Sequence, residues 1–386
     1  MSEIKVNSIK GVAASTAALT INNTDGTCTA NITNNLSNRN LLINGAMQVA
    51  QRGTSSTSSG YHTVDRFSVE EGGVDEAGTK EQAAVTSGGA YDSGFRNCLK
   101  ITNGNQTGGA GASDYVQIMQ RVEAQNMANS GWNFPSSSSF ITLSFWIKSS
   151  VAQVFSGSLR TVDGTAYSYK YDTPSISANT WTKVTKTIPG NSNLTFADDN
   201  GHGFDVFIYP FIGTTYTTSN ANTETWITAA TNTYANDVAS TWYTTNDATF
   251  EVTGVQLEVG SVATDFEHRS FAQELALCQR YYYTTRGGNS GNPNSDFAGF
   301  FGTPLNTGAG GYGIARFPVA MRATPTIVLY DATATAGKFT QNGVNYFTGS
   351  AGNINNNGFS LISGASGLST STSYTLTAGF TASAEL

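Results

Sequence analysis

FEVTGVQLEVGSVATDFEHRSFAQELALCQRYYY, residues 250–283, decides how this chain is read. Phe250-Glu251-Val252-Thr253 alternates apolar and polar side chains, the period of a half-buried strand. Ser270 then stands three residues before Gln273. That is the spacing of a capping box, in which the two side chains satisfy orphan amides of a helix's first turn. Phe271, Leu275, Cys278 and Tyr282 follow at helical spacing. The stretch therefore predicts a strand, a corner, and a helix over about 270–283 with one apolar stripe.

The bulk numbers agree with a β-rich frame around that stretch. A chain of 386 residues can hold two or three cores. Charged residues make up 12% of it, about half the ~25% of an average soluble chain. Ser, Thr and Asn, which fill much of the gap, suit strands and turns better than helix interiors. A net charge of −7 gives no basic footprint, so no nucleic-acid partner is expected. No apolar run approaches the ~20 residues of a membrane span, and no membrane insertion is expected. Val12 to Ile21 is broken by Ser15, Thr16 and Thr20, so it reads as a structural piece and not as a secretory core. Cys28, Cys98 and Cys278 are odd in number and far apart, which indicates neither a disulfide framework nor a zinc site. No cofactor is expected, and the cysteine usage fits assembly in a reducing cytoplasm.

Taken in order, residues 1–40 are short β-like pieces too poor in apolar bulk for a core of their own. Residues 41–269 read as an antiparallel β-sandwich of jelly-roll type, with short strands and regular turn punctuation. Ile141, Leu143, Phe145 and Ile147 form one face of a strand, opposite Thr142, Ser144, Trp146 and Lys148. Val154–Val162 and Thr165–Tyr171 flank Asp163-Gly164, a two-residue hairpin signal. Residues 270–284 are a connecting helix. Gly287 to Asn294 (GGNSGNPN) reads as a hinge, and residues 285–386 as a smaller β unit. Its best strands are Tyr312 to Pro318 and Thr326 to Tyr330, and the Asn/Gly/Ser-rich 350s and 360s read as tip loops. The fold class is mainly all-β.

Four blocks carry a resemblance. They are NLLINGAMQVAQRG (40–53) with VDRF (64–67), GVQLEVGSVATDFEHRSFAQELALCQRYYY (254–283), FPVAMRATPT (317–326) and the closing AEL (384–386). Together they resemble bacteriophage tail-fibre and related virion proteins that contain a carbohydrate-module-like β-sandwich. This chain departs from the family pattern at Ala50 and Phe67, where Trp is frequent, and those changes alter bulk only. The resemblance implies a virion structural protein, assembled in the host cytoplasm and anchored to other virion proteins by its N-terminal segment. It also implies a homotrimer and recognition of host surface polysaccharide or lipopolysaccharide. Position on tail or capsid stays open.

The chemistry in the sequence is sparse. His62, His202 and His268 lack metal spacing, and neither HExxH nor GxSxG occurs. His268 reads as a corner residue. Asp198-Asp199 lacks the alternating oxygen ligands of a calcium loop and reads as a turn. Glu251, Glu258, Asp265 and Glu267 are spread over a strand and a corner, so no catalytic residue and no enzyme activity is expected. Glycans are held by aromatic faces with nearby polar groups. The candidates are Tyr167, Tyr169 and Tyr171, with Arg160 and Ser158 opposite them if the turn has two residues. Phe207, Tyr209 and Phe211 form a second stripe, and Trp146 stands alone. For each the bland alternative is the sandwich core or a subunit seam. The predicted function is a receptor-binding fibre. An architectural or capsid-decorating protein and a polysaccharide depolymerase are the alternatives.

Overall fold

In the computed structural model the described residues are 8–9, 19–21, 28–30, 38–218, 221–285, 299–302, 312–331, 333, 335–341, 345–363, 374–377 and 379–386. β1 (Ser8–Ile9), β2 (Leu19–Ile21) and β3 (Cys28–Ala30) pair into a small antiparallel sheet. The 287–294 hinge and most of the 360s fall outside the described residues.

The middle of the chain supplies β4 (Ser55–Ser56), β5 (Ser68–Gly72), β6 (Thr79–Ala84), β7 (Asn97–Thr102), β8 (Tyr115–Glu123) and β9 (Phe140–Ser149). It continues with β10 (Ser156–Thr161), β11 (Tyr167–Asp172), β12 (Thr182–Pro189), β13 (His202–Ile212), β14 (Trp226–Thr228) and β15 (Thr249–Val259). These form two six-stranded antiparallel sheets, ordered β14-β11-β10-β13-β8-β5 and β12-β9-β15-β7-β6-β4. Period-2 patterning builds the core between them. Ile141, Leu143, Phe145 and Ile147 of β9 are fully buried against Leu159 of β10 and Phe204, Val206 and Ile208 of β13. Phe250 and Val252 of β15 join that core, and Glu251 faces away to meet Lys148 at 2.9 Å. Gly254 interrupts the alternation. Its φ of 64° sits at a shift in the β15–β9 register, where a Cβ would lie 2.5 Å from the Phe95 ring.

The capping box forms as the spacing predicts. The Gln273 amide donates to Ser270 Oγ at 3.4 Å, and the Ser270 amide donates to Gln273 Oε1 at 3.0 Å. Ser270→Ala is expected to lower stability by about 1 kcal/mol, read as a shift in the urea midpoint. The helix itself is shorter than its pattern, Phe271–Gln279, and its stripe is rotated. Phe271 is 56% exposed and Glu274 faces inward in its place, beside Cys278, which is buried as the stripe predicts. The cause is polar. Glu274 accepts the Asn44 amide and lies 3.5 Å from Arg269, which fixes that face of the helix inward.

The tyrosine run leaves the helix to become β16 (Tyr282–Thr284), a strand of the second unit and not part of the connecting helix. That unit adds β17 (Gly299–Gly302), β18 (Tyr312–Arg316), β19 (Thr326–Tyr330), β20 (Lys338–Gln341), β21 (Asn345–Asn355), β22 (Gly358–Ser363), β23 (Tyr374–Thr377) and β24 (Gly379–Ser383). They make a three-stranded sheet, β16-β24-β19, and a six-stranded sheet, β17-β23-β20-β21-β22-β18. Phe317, Met321, Leu329, Phe359 and Phe380 pack into its core. The Asn-rich 350s are strands and not a tip loop, because the Phe359 ring that follows them is buried and pins the β21–β22 hairpin.

The four sequence blocks meet at one joint between the two units. Arg52 Nη2 lies 3.0 Å from Glu385 Oε1, and Arg66 Nη1 contacts the other oxygen of the same carboxylate. Arg66 stacks 3.5 Å from the Tyr281 ring centroid and Arg52 3.6 Å from that of Tyr282. Arg322 Nε donates to the Ala384 carbonyl at 2.9 Å. Asn44 Nδ2 donates to the carbonyls of Val49 at 2.8 Å and Asp65 at 2.9 Å. Gly45 lies against the Val255 carbonyl, where a Cβ would come within 2.0 Å of the oxygen. Inside the sandwich Arg52 Nη1 also lies 3.8 Å from Asp65 Oδ1, and Arg66 Nη2 donates to the Arg121 carbonyl at 2.6 Å.

Candidate functional site

The outward face of the sheet β14-β11-β10-β13-β8-β5 is half covered. Along β8, Val116 and Ile118 enter the core, which turns Tyr115, Gln117, Met119 and Arg121 to the other side. The registers Met119↔Phe207, Arg121↔Asp205 and Arg160↔Asp205 set side chains of β8, β13 and β10 in adjoining rows. The segment after β13 folds back over them, so Phe207, Tyr209, Ile212 and Ala235 form a small buried cluster with Tyr216 and Tyr234 packed on it. Beside this cover a cavity of about 430 Å³ remains open. That is within the ~300–1,000 Å³ of small-molecule sites.

Three tyrosines and a phenylalanine shape its wall. The Tyr115 and Tyr216 rings meet edge-on at 5.7 Å, Tyr216 and Tyr234 at 6.3 Å, and Phe207 and Tyr234 at 6.1 Å. Burial, then the neighbouring Tyr216 and Glu70, raise the Tyr115 hydroxyl above its ordinary range, so it stays a neutral hydrogen-bonding group. Among the described lining residues Asp205 is the only carboxylate, with His202 Nε2 at 2.6 Å and Arg121 Nε at 3.8 Å. Arg121 Nη1 also donates to the Leu386 carbonyl. Arg160 Nη1 donates to the Tyr234 hydroxyl, and its guanidinium carbon lies 4.9 Å from the centroid of that ring. Flat apolar rings, a primary amide on Gln117 and fixed charges suit a polyhydroxylated ligand with apolar faces. A second depression, of about 420 Å³ around Asn40, Asn126 and Asn129, carries no aromatic side chain.

Of the predicted aromatics, only Phe207 borders this cavity. Tyr169 and Tyr171 are buried in the sandwich core, Tyr169 with its ring 5.3 Å from Trp226, and Tyr167 packs on the same core. The exposed tyrosine platform is therefore corrected. Its premise was a two-residue turn, whereas the pairing is Arg160↔Ser168, Leu159↔Tyr169 and Ser158↔Lys170. That one-residue slip puts Arg160 and Ser158 on the sheet face opposite the tyrosines. Tyr209 lies under the cover, its hydroxyl 3.1 Å from Ser158 Oγ. Phe211 points inward and stacks on Tyr243 at 4.4 Å, because a register shift between Ile208 and Phe211 reverses the faces of β13. Trp146 belongs to the other sheet, half-buried in a cluster with Phe95 and Trp181. His268 does hold the corner, with Nε2 3.1 Å from the Ser93 carbonyl oxygen. Glu267 pairs with Arg269 at 3.2 Å, whereas Glu258 is held by Thr264 hydrogen bonds and by no salt bridge among the described residues. Asp199 accepts the Gly201 amide at 2.8 Å, closing the expected turn.

Sequence reasoning missed Tyr115, Gln117, Arg121, Tyr216 and Tyr234. Tyr115 to Arg121 had a signal: YVQIMQR alternates, with the bulky apolar set on one side and the ring, amide and guanidinium on the other. Tyr216 ends one short 3-10 turn and Tyr234 follows another, and neither had a periodic signal.

No protein-family model and no curated protein matches the chain. Solved structures that resemble it include the enzymatically active domain of bacteriophage CBA120 tailspike protein 4. The two are 12% identical with a TM-score of 0.31, over 57% of this chain and 21% of that one. The N-terminal cellulose-binding domain of Cellulomonas fimi β-1,4-glucanase C is 9% identical with a TM-score of 0.27, over 56% and 99% of the two chains. The family 11 carbohydrate-binding module of Clostridium thermocellum, solved with a β-1,3-1,4-mixed-linked tetrasaccharide, is 13% identical with a TM-score of 0.24, over 55% and 99%. This chain spans about a fifth of the tailspike.

Proposed function

We propose that this chain is a phage virion protein, a tail-fibre or fibre-tip subunit, whose sandwich binds host surface glycan in the aromatic cavity. The observation that carries the glycan reading is the wall of Tyr115, Phe207, Tyr216 and Tyr234 beside Gln117, Arg121 and Arg160. Rings present apolar faces to a sugar, and the polar groups fix its orientation. The virion reading rests on the four sequence blocks, whose residues converge on the joint that seats the second unit on the sandwich. On this reading the N-terminal pieces anchor to other virion proteins, the protein is a homotrimer, and repeated weak contacts add by avidity.

The test mixes purified protein with host cells and their extracted surface polysaccharide, and records adsorption and polymer length together. Saturable adsorption at constant length supports the reading. Falling polymer length at substoichiometric protein makes this a depolymerase. No adsorption by a folded oligomer leaves an architectural part. Within that assay Tyr216→Ala is expected to weaken polysaccharide affinity about two- to tenfold, the range set by losing one aromatic contact. Equal affinity for the variant would place the sugar elsewhere. Tyr169→Ala, by contrast, opens the core and reports on stability alone.

A further inference from the structure

We infer that the cavity selects acidic saccharides, sugar rings bearing a carboxylate, and that Arg160 is the side chain that pairs with it. The inference rests on the glycan-binding reading above and names the ligand class for the same site.

Charge is distributed unevenly across the molecule. The chain carries a net −7, yet this lining sets two guanidiniums against one carboxylate. Asp205 is already engaged by His202 and Arg121. Arg121 divides itself between Asp205 and the Leu386 carbonyl. Arg160 differs from both. It forms no ion pair with any carboxylate among the described residues and gives one donor to a neutral hydroxyl on Tyr234, while its buried Nε, like that of Arg121, has no hydrogen-bond partner in the protein. A guanidinium has five N–H donors in a rigid plane. Its preferred complement is a carboxylate bound through two parallel hydrogen bonds. A half-buried guanidinium without a counter-charge is costly, and an incoming anion removes that cost. The Tyr234 ring and hydroxyl hold the Arg160 plane in place, so little side-chain entropy is lost when the ligand arrives. The flanking tyrosines then stack on the sugar ring that carries the acid. A neutral sugar would meet the same rings and leave Arg160 without its partner.

The experiment uses the full chain and immobilised saccharides in matched pairs. Each pair is a polyuronate oligosaccharide with its carboxyl-reduced form, or a sialylated oligosaccharide with its methyl ester. The acid member is expected to bind about ten- to hundredfold tighter than its neutral partner, the gain of a hydrogen bond to a charged group. That ratio should shrink as salt rises. Arg160→Met, which keeps the aliphatic stem, should bring the ratio of acid to neutral affinity within each pair down to about one. Arg160→Lys, which keeps the charge without the fork, should restore part of the preference and also controls for folding. Equal binding of acid and neutral members, or an acid preference that survives in Arg160→Met, overturns the inference and leaves glycan binding standing. If no saccharide of either kind binds, the glycan-binding reading itself fails, and this inference with it.

Discussion

Arg66→Met is expected to lower the unfolding free energy by about 3–5 kcal/mol, the cost of leaving one partner of a buried pair alone. Arg66 is 1% exposed, and its guanidinium meets the Glu385 carboxylate, the Arg121 carbonyl at 2.6 Å and the face of Tyr281. Burial works against its charge, yet the negative neighbourhood led by Glu385 holds its proton more tightly than in free arginine. Methionine keeps the apolar stem and removes every one of those polar contacts. The stranded Glu385 would keep only Arg52 at 3.0 Å and pull away from the sandwich. Urea unfolding followed by tyrosine and tryptophan fluorescence reads the loss, and a drop below about 1 kcal/mol would refute the importance of the pair. Arg66→Met combined with Glu385→Gln should be less destabilised than the sum of the single changes, because no charge is then left unmatched.

The second large effect is a pH dependence. Asp65 is 1% exposed, and burial pushes its carboxyl up from 3.8 to about 6, against the pull of Arg52 and two hydrogen bonds from Gln51. A carboxyl whose folded pKa exceeds its unfolded one holds its proton more tightly in the native state. Its contribution is complete below pH 3.8 and is lost as the pH rises through about 6, roughly 3 kcal/mol across that window. Glu274 shifts the same way through burial. Glu123 has the opposite sign. Burial raises it, but hydrogen bonds from Arg280 and Tyr281 outweigh that, so its contribution holds above pH 4.5 and is lost below. Comparing Asp65→Asn with the parent at each pH cancels those other groups. The difference should move in favour of the variant by up to about 3 kcal/mol between pH 4 and pH 7. A difference that stays flat over that range would show that Asp65 does not titrate as the buried environment requires.

Much of the architecture is legible in the sequence wherever one face of an element is buried. The alternation of β9, that of Phe250–Thr253 at the start of β15, and the Ser270/Gln273 cap are local patterns that the folded chain uses. What escapes is set by partners distant in sequence. Tyr282 leaves its helical stripe because β24, about a hundred residues later, captures it as a strand. Phe271 loses its burial because Glu274 is claimed by an amide 230 residues away. The site fails to appear for a sharper reason. One residue of register in the β10–β11 hairpin decides whether Arg160 stands beside three tyrosines or behind them, and a turn dipeptide alone does not fix it. Arg160 was visible as a cation near aromatics. The aromatics it serves are on other segments.

β16 and β24 lie side by side, so the second unit begins and ends on neighbouring strands of one small sheet. The two strands form the doorway of that unit. Arg52 and Arg66 clamp it from the sandwich side, whereas Arg322 lies between the strands in sequence and reaches both the Ala384 carbonyl and, at 2.6 Å, the Asn200 carbonyl of the sandwich. The stretches between these anchors can be exchanged for ones of another length or shape without disturbing the sandwich, provided β16, β19, β24, Arg322 and the Glu385 latch are kept.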